Sequence, residues 1–396
     1  MNPISKKIQE IDNDLTARIQ SPDRDKNLGI LAGYPGLALF YYAKFLLDRN
    51  DDHVTRIEQV VINGFEDLET QELSPYLCSG VSGFASILRY LNERKLFDAG
   101  PAIKDNLKTI DNYLFQGFEH ALRVGNFDFL HGAEGLLNYF MSLPDNRNAP
   151  ALFLKRLSKT RDVIPGKGIG WRSNVNLQNG NKMVYNLGLA HGMASTMIML
   201  SKIVNMQQSS LSGQAKELLK GLVDFFMSEK MASSHNATFP NYSSIDEPVN
   251  NSRLGWCYGD LGIVIALIKA SQALQDDLLK QDAIEICLRT TTRKTQKETA
   301  VMDATICHGT AGIAHIYSRM FQLTGKIEFH EASRYWIDQT LEQATFEDGN
   351  AGYKMWTVKG PKNGISMLEG SAGIGLVLMS TQLNEDIDWD DSLLTN

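Results

Sequence analysis

Seven times along this chain a glycine is followed three residues later by a second small residue, and each time an apolar run begins. The copies read Gly33-Tyr34-Pro35-Gly36, Gly80-Val81-Ser82-Gly83, Gly132-Ala133-Glu134-Gly135, Gly192-Met193-Ala194-Ser195, Gly259-Asp260-Leu261-Gly262, Gly309-Thr310-Ala311-Gly312 and Gly370-Ser371-Ala372-Gly373. Only the fourth lacks the second glycine. The first glycines fall 47 to 67 residues apart, a period that marks a repeat architecture. After Gly262 the chain runs Ile-Val-Ile-Ala-Leu-Ile, and after Gly373 it runs Ile-Gly-Leu-Val-Leu-Met. These runs show no alternation of period two, so they read as helices rather than strands. A helix apolar nearly all round is buried on every side. Paired glycines three apart share a helix face and predict close backbone approach to a neighbour.

Between these runs lie one-sided stripes. Ile8, Ile11, Leu15 and Ile19 form the first, and Val54, Ile57, Val61 and Phe65 the second. Leu107, Ile110, Leu114 and Phe118 form the third, and a shorter stripe spans 150–159. Later ones carry Leu218, Leu222 and Phe225, then 278–288, then Phe329, Trp336 and Leu341. Such stripes suit an outer layer packed on a buried inner one. The expected fold is all-α, an α/α toroid of seven inner and seven outer helices, with residues 1–396 as one domain. An open solenoid would carry polar end repeats. The first and last apolar runs here are as apolar as the middle ones, which favours closure. The longer connections, 163–186 and 235–252, mix Gly, Asn and Ser with Val, Ile and Tyr and read as hairpin-like loops.

A net charge of −7 argues against a nucleic-acid surface. No window approaches ~18 apolar residues, so no membrane span is expected. The N-terminus has no apolar signal region. Four cysteines in 396 residues do not make a disulfide framework and fit a reducing, cytoplasmic setting.

Two of these cysteines stand in the motif turns. Cys257 lies two places before Gly259, and Cys307-His308 lies directly before Gly309. Two cysteines and one histidine make a three-ligand zinc set that leaves one tetrahedral position open for chemistry. The alternative is three buried side chains that never meet, since free cysteine is among the most buried residue types. Cys78 holds a comparable place in the second repeat and is left out. Cys287 and His315 read as core, whereas His53, His120, His235 and His330 read as surface.

The motifs Ala190-His191-Gly192, Trp256-Cys257-Tyr258-Gly259 and Cys307-His308-Gly309, in the seven-motif frame that ends in Leu368-Glu369-Gly370, resemble the lanthionine synthetase C-like family, the lanthipeptide cyclases. The resemblance spans essentially the whole chain. It implies one zinc ion on Cys257, Cys307 and His308, and catalytic-site roles for His191, Tyr258, Asp128 and Arg253. It also implies addition of peptide cysteine thiols to dehydroalanine or dehydrobutyrine, giving thioether rings. The substrate would be a dehydrated precursor peptide supplied by a separate dehydratase. No interval leaves room for a full inserted peptide-binding domain. His191 is the candidate acid, Tyr258 a second donor, Asp128 the carboxylate that orients His191, and Arg253 a support for the enolate or Asp128. Blander readings stand beside these: Tyr258 as a packed aromatic, Asp128 as a helix cap, Arg253 as a loop charge, His191 as structural. His131 is an additional pocket candidate. A non-catalytic protein that binds thiols through zinc is the competing function, and it has no need of the acid set.

Overall fold

The computed structural model describes the chain except for residues 1, 22–24, 71–72, 97–100, 178–179, 207–208, 233–234 and 245–251. Its helices fall into two alternating sets. The amphipathic set is α1 (Pro3–Ile19), α3 (Asp52–Thr70), α5 (Pro101–Val124), α7 (Ala149–Thr160), α9 (Ser209–Ser228), α11 (Asp277–Thr290) and α14 (Ile327–Glu342). The apolar set is α2 (Leu37–Asp48), α4 (Val81–Glu93), α6 (Ala133–Met141), α8 (Met193–Val204), α10 (Asp260–Leu274), α13 (Thr310–Thr324) and α15 (Ser371–Ser380). A single turn, α12 (Gln296–Thr299), and a 3-10 helix (Trp389–Leu393) complete the described helices. Each stripe read from the sequence is a helix, and each motif glycine stands at the start of an apolar one.

Local chemistry explains the boundaries. Asn2 caps α1 by accepting from Ser5 N at 2.8 Å, with Pro3 at the first helical position. Its stripe Ile8, Ile11, Leu15 and Ile19 is buried. In α15 every residue from Ser371 to Met379 is buried. The same holds for Asp260–Ile268 of α10 and Met193–Ser201 of α8.

The described chain forms two compact units, residues 1–117 with 302–396, and residues 118–301. In the first, α15 packs between α13 and α2, and α1 lies against α15. The motif turns are linked by backbone hydrogen bonds: Cys307 N to Leu368 O (3.1 Å), Leu368 N to Leu31 O (2.9 Å) and Ala32 N to Cys78 O (2.9 Å). The last repeat is thereby joined to the first. In the second unit α8 packs between α6 and α10, with α9 against α8 and α7 against α6 and α9. Leu189 N donates to Cys257 O at 2.9 Å, linking the turns before α8 and α10.

The connection 163–186 does form hairpins. β1 (Asp162–Ile164) pairs antiparallel with β2 (Gly168–Gly170), and β3 (Ser173–Leu177) with β4 (Gly180–Asn186). From the connection 235–252, β5 (Tyr242–Ser243) adds to β4; residues 245–251 of it lie outside the described residues. A further hairpin, β6 (Met355–Thr357) with β7 (Gly360–Lys362), was not expected. The close approach predicted for the motif glycines is made chiefly to the chain's own preceding turn. A Cβ on Gly312 would lie 1.9 Å from the carbonyl oxygen of Ile306, and one on Gly259 1.9 Å from that of Arg253, six residues back in both cases.

One histidine assignment is corrected. His53 is buried at 2% exposure, stacked on Tyr41 and bonded to Asp48 and Arg56, because α3 turns it inward. His120 and His235 are exposed and His330 half-buried. Cys287 and His315 are core, as expected, and His315 is held by Asp390 at 2.8 Å.

Candidate active site

The turns before α2, α6, α8 and α13 share one construction. An Asn or Asp six residues before the first glycine folds its side chain onto the backbone N–H two residues on. Asn27, Asn126, Asn186 and Asp303 make this bond to Gly29, Asp128, Gly188 and Thr305. In the fifth copy this place is Arg253, which has no such acceptor. There alone among the seven first glycines φ is positive, +101° at Gly259. Cys257 and Tyr258 therefore sit on a turn of their own type, with Arg253 half-buried at its start.

In residues 118–301 the turns before α6, α8 and α10 meet around a cavity of about 560 Å³, lined by Asp128, Glu134, Asn186, His191 and Tyr258 and closed on one side by Trp171–Asn176. His191 Nδ1 lies 2.7 Å from Asp128 Oδ2. The other oxygen of Asp128 accepts from His131 N at 2.7 Å within the turn; the cap position of α6 is Gly132 and has no side-chain cap, so Asp128 is not its helix cap. The His131 ring stacks on His191, centroids 6.0 Å apart and planes within 16°. Burial lowers the His131 pKa, helped by His191 and opposed by Asp128. Asn186 Nδ2 donates to the Tyr258 hydroxyl at 3.0 Å. Burial raises the Tyr258 pKa against the opposing effects of Asn186 and Arg253, so the phenol stays protonated. Three of the four expected catalytic residues, Asp128, His191 and Tyr258, thus line one cavity. Arg253 is not in its lining but lies near enough to act on Tyr258 electrostatically.

Of the expected zinc ligands, Cys257 stands in the second unit, and Cys307 and His308 stand in the first. Each is placed by its own turn. The Cys257 thiol is 6% exposed, and its carbonyl accepts from Leu189 N and Ala190 N. Cys307 is 8% exposed. His308 presents Nε2 to Asp303 Oδ2 at 3.3 Å, with Asp303 buried. That carboxylate also accepts from Thr305 N, Thr305 Oγ1 and Trp356 N. Burial works to raise the Asp303 pKa, but the hydrogen bond and charge of His308 and the two backbone donors outweigh it and hold it low. Two thiols with an imidazole oriented by a buried carboxylate are a donor set that fits zinc.

Sequence reading missed Asn186, Glu134, Thr196 and Asp303. Asn186 and Asp303 are legible as the polar residue six before a motif glycine.

Comparison with known proteins gives the family and the fold. The family described as lanthionine synthetase C-like protein matches residues 25–394. The chain belongs to this family. It is 22% identical over 407 residues to nisin biosynthesis protein NisC of Lactococcus lactis subsp. lactis, spanning 93% of this chain and 88% of the relative. Among solved structures it superposes on nisin cyclase with a TM-score of 0.77 at 19% identity, covering 99% of this chain and 97% of the other. The fold class is the α/α toroid expected from the repeat. Among the described residues, no helix is long and apolar enough to cross a membrane.

Proposed function

We propose that this chain is a zinc-dependent lanthipeptide cyclase that closes lanthionine and methyllanthionine rings in a dehydrated precursor peptide. The observation that carries the reading is the Asp128–His191 pair, set beside the Tyr258 hydroxyl on one cavity wall. A protein that only bound thiols would have no use for an oriented acid.

In this reading Cys257, Cys307 and His308 hold one zinc ion, with His308 Nδ1 as its donor nitrogen because Nε2 faces Asp303. When bound, the ion supplies deprotonation of a peptide thiol, whose free pKa is ~8.5. The residues of the chain manage the rest of the charge. As the sulfur bonds to the β-carbon of the dehydro residue, the π pair moves toward the α-carbon and its carbonyl, giving an enolate. The proton released by the thiol is the one finally returned to the α-carbon, so peptide mass is unchanged. With Nδ1 engaged by Asp128, His191 exchanges that proton through Nε2, and the carboxylate stabilises its imidazolium. The Tyr258 hydroxyl accepts from Asn186 and keeps its own proton to donate to the enolate oxygen. Arg253 supports the same negative charge.

The reading treats 1–396 as one catalytic domain, a separate dehydratase as the source of substrate, and the cytoplasm as the setting. Four cysteines in 396 residues are too few for a disulfide framework, which suits a reducing compartment. Enzyme-dependent loss of the free thiol in a dehydrated, cysteine-containing peptide tests the function.

A further inference from the structure

Glu134 is the third residue of the third motif. The same place holds Pro35, Ser82, Ala194, Leu261, Ala311 and Ala372 in the other six copies. Glu134 is 1% exposed, yet it is one of the residues lining the cavity shared by Asp128, His191 and Tyr258. Its Oε1 accepts from Thr196 Oγ1 of α8 at 2.5 Å. Its Oε2 is buried and no hydrogen bond of ordinary length reaches it; the Ser195 hydroxyl lies nearby but donates to Gly192 O at 2.8 Å. Burial, opposed by Ser195 and Thr196 and aided by Asp128, pushes the Glu134 pKa up to about 8. At neutral pH the group is therefore a carboxylic acid: Thr196 occupies one oxygen, and the other can carry a proton to donate. An unpaired donor in a buried place is costly to retain unless a ligand satisfies it.

We propose that Glu134 is a substrate-binding residue, whose Oε2–H donates a hydrogen bond to an amide carbonyl oxygen of the peptide held in this cavity. The acceptor is neutral because an anion would face Asp128, and a peptide backbone offers such an oxygen at every residue. The inference rests on the cyclase reading and adds a contact to it. The titratable groups that line the cavity with Glu134 are Asp128 in the preceding turn, Arg172 before β3, His191 before α8 and Tyr258 before α10.

The test is the steady-state kinetics of ring closure by the zinc-loaded full chain, with kcat and KM separated, for wild type, Glu134→Leu and Glu134→Gln. Thermal unfolding checks that each variant is folded. Glu134→Leu raises KM about tenfold or more with a smaller change in kcat. Glu134→Gln, which restores a neutral donor, brings KM back to within about threefold. From pH 7 to 9 the wild-type KM climbs relative to that of Glu134→Gln, because the wild-type acid loses its proton and the amide cannot. A Glu134→Leu enzyme with wild-type KM overturns the inference and leaves the cyclase reading standing. So does a Glu134→Gln enzyme as weak as Glu134→Leu. If Glu134→Leu does not fold, equal pH dependence of KM in wild type and Glu134→Gln overturns it. A zinc-loaded wild type that closes no ring removes the cyclase reading and this inference together.

Discussion

Asp128 Oδ2 and His191 Nδ1, 63 residues apart in sequence, lie 2.7 Å from each other. The carboxylate is anchored by His131 N and the imidazole stacks on the His131 ring, so both partners are held from a second side. A carboxylate on Nδ1 sets the tautomer, directs proton exchange to Nε2 and favours the charged ring.

Removing the imidazole should therefore lower turnover without disturbing the metal. His191→Ala is expected to lose roughly 10²- to 10⁴-fold in kcat, the usual worth of a positioned acid or base. It should retain wild-type zinc, whereas Cys307→Ala should lose the metal. Elemental analysis alongside the ring-closure rate checks both. A His191→Ala protein that cyclises at the wild-type rate would remove the acid assignment.

Asp303 gives a second, metal-specific expectation. It faces His308 Nε2 at 3.3 Å from a buried position and orients the ring for its other nitrogen. Asp303→Asn keeps an acceptor for Thr305 N but removes the charge. Zinc affinity should fall roughly 10- to 100-fold, as is typical when a carboxylate partner of a ligating histidine is lost. Competition against a chromophoric chelator measures it, and unchanged affinity would place Asp303 outside the metal site.

Two glycines with positive φ should respond unequally to alanine. Gly259 has φ +101°, and a Cβ there would meet Arg253 O at 1.9 Å. Gly325, the cap of α13, has φ +67° and nothing within 4 Å of an added Cβ. Gly325→Ala should cost about 1 kcal/mol. Gly259→Ala should cost several times that and displace the Cys257–Tyr258 turn. Denaturant unfolding of the two variants compares them, and equal costs would contradict the turn geometry.

The pH dependence of stability follows from Glu134. Its carboxyl titrates at about 8 in the folded chain against an ordinary 4.5. Below pH 4.5 both states carry the proton and nothing is lost. As pH rises toward 8 the unfolded state ionises and the folded state does not, so stability falls by about 1.4 kcal/mol per pH unit. Glu134→Gln removes this dependence. Its stability relative to wild type should grow between pH 5 and 8 by up to roughly 4 kcal/mol. Unfolding midpoints at the two pH values decide it; a constant difference would show that Glu134 is ionised in the fold.

Much of this was legible in the sequence because it rests on local pattern. The seven motif helices and seven stripes needed only period and glycine spacing, and the thiols and His308 announced themselves by place in the motif. What escaped depended on contacts between repeats. His53 looked like a surface residue because nothing in its own helix shows Tyr41 and Asp48 closing over it. Asn186 reads as a turn residue until Tyr258, 72 positions on, is seen to accept from it. Glu134 stood in plain view as the one acid at a place where the other copies are small or apolar, but its burial could be known only from the fold. The hairpin 355–362 is too short, and too polar at Gly360–Lys362, to stand out from loop.

The most direct measurement is the mass of a dehydrated, cysteine-containing peptide after incubation with the zinc-loaded chain and then with a thiol-alkylating reagent. The account predicts one zinc per chain, unchanged peptide mass, and an enzyme-dependent loss of alkylation, one adduct for each ring closed. One zinc per chain with every thiol still alkylated would contradict it and leave a protein that binds thiols without closing rings.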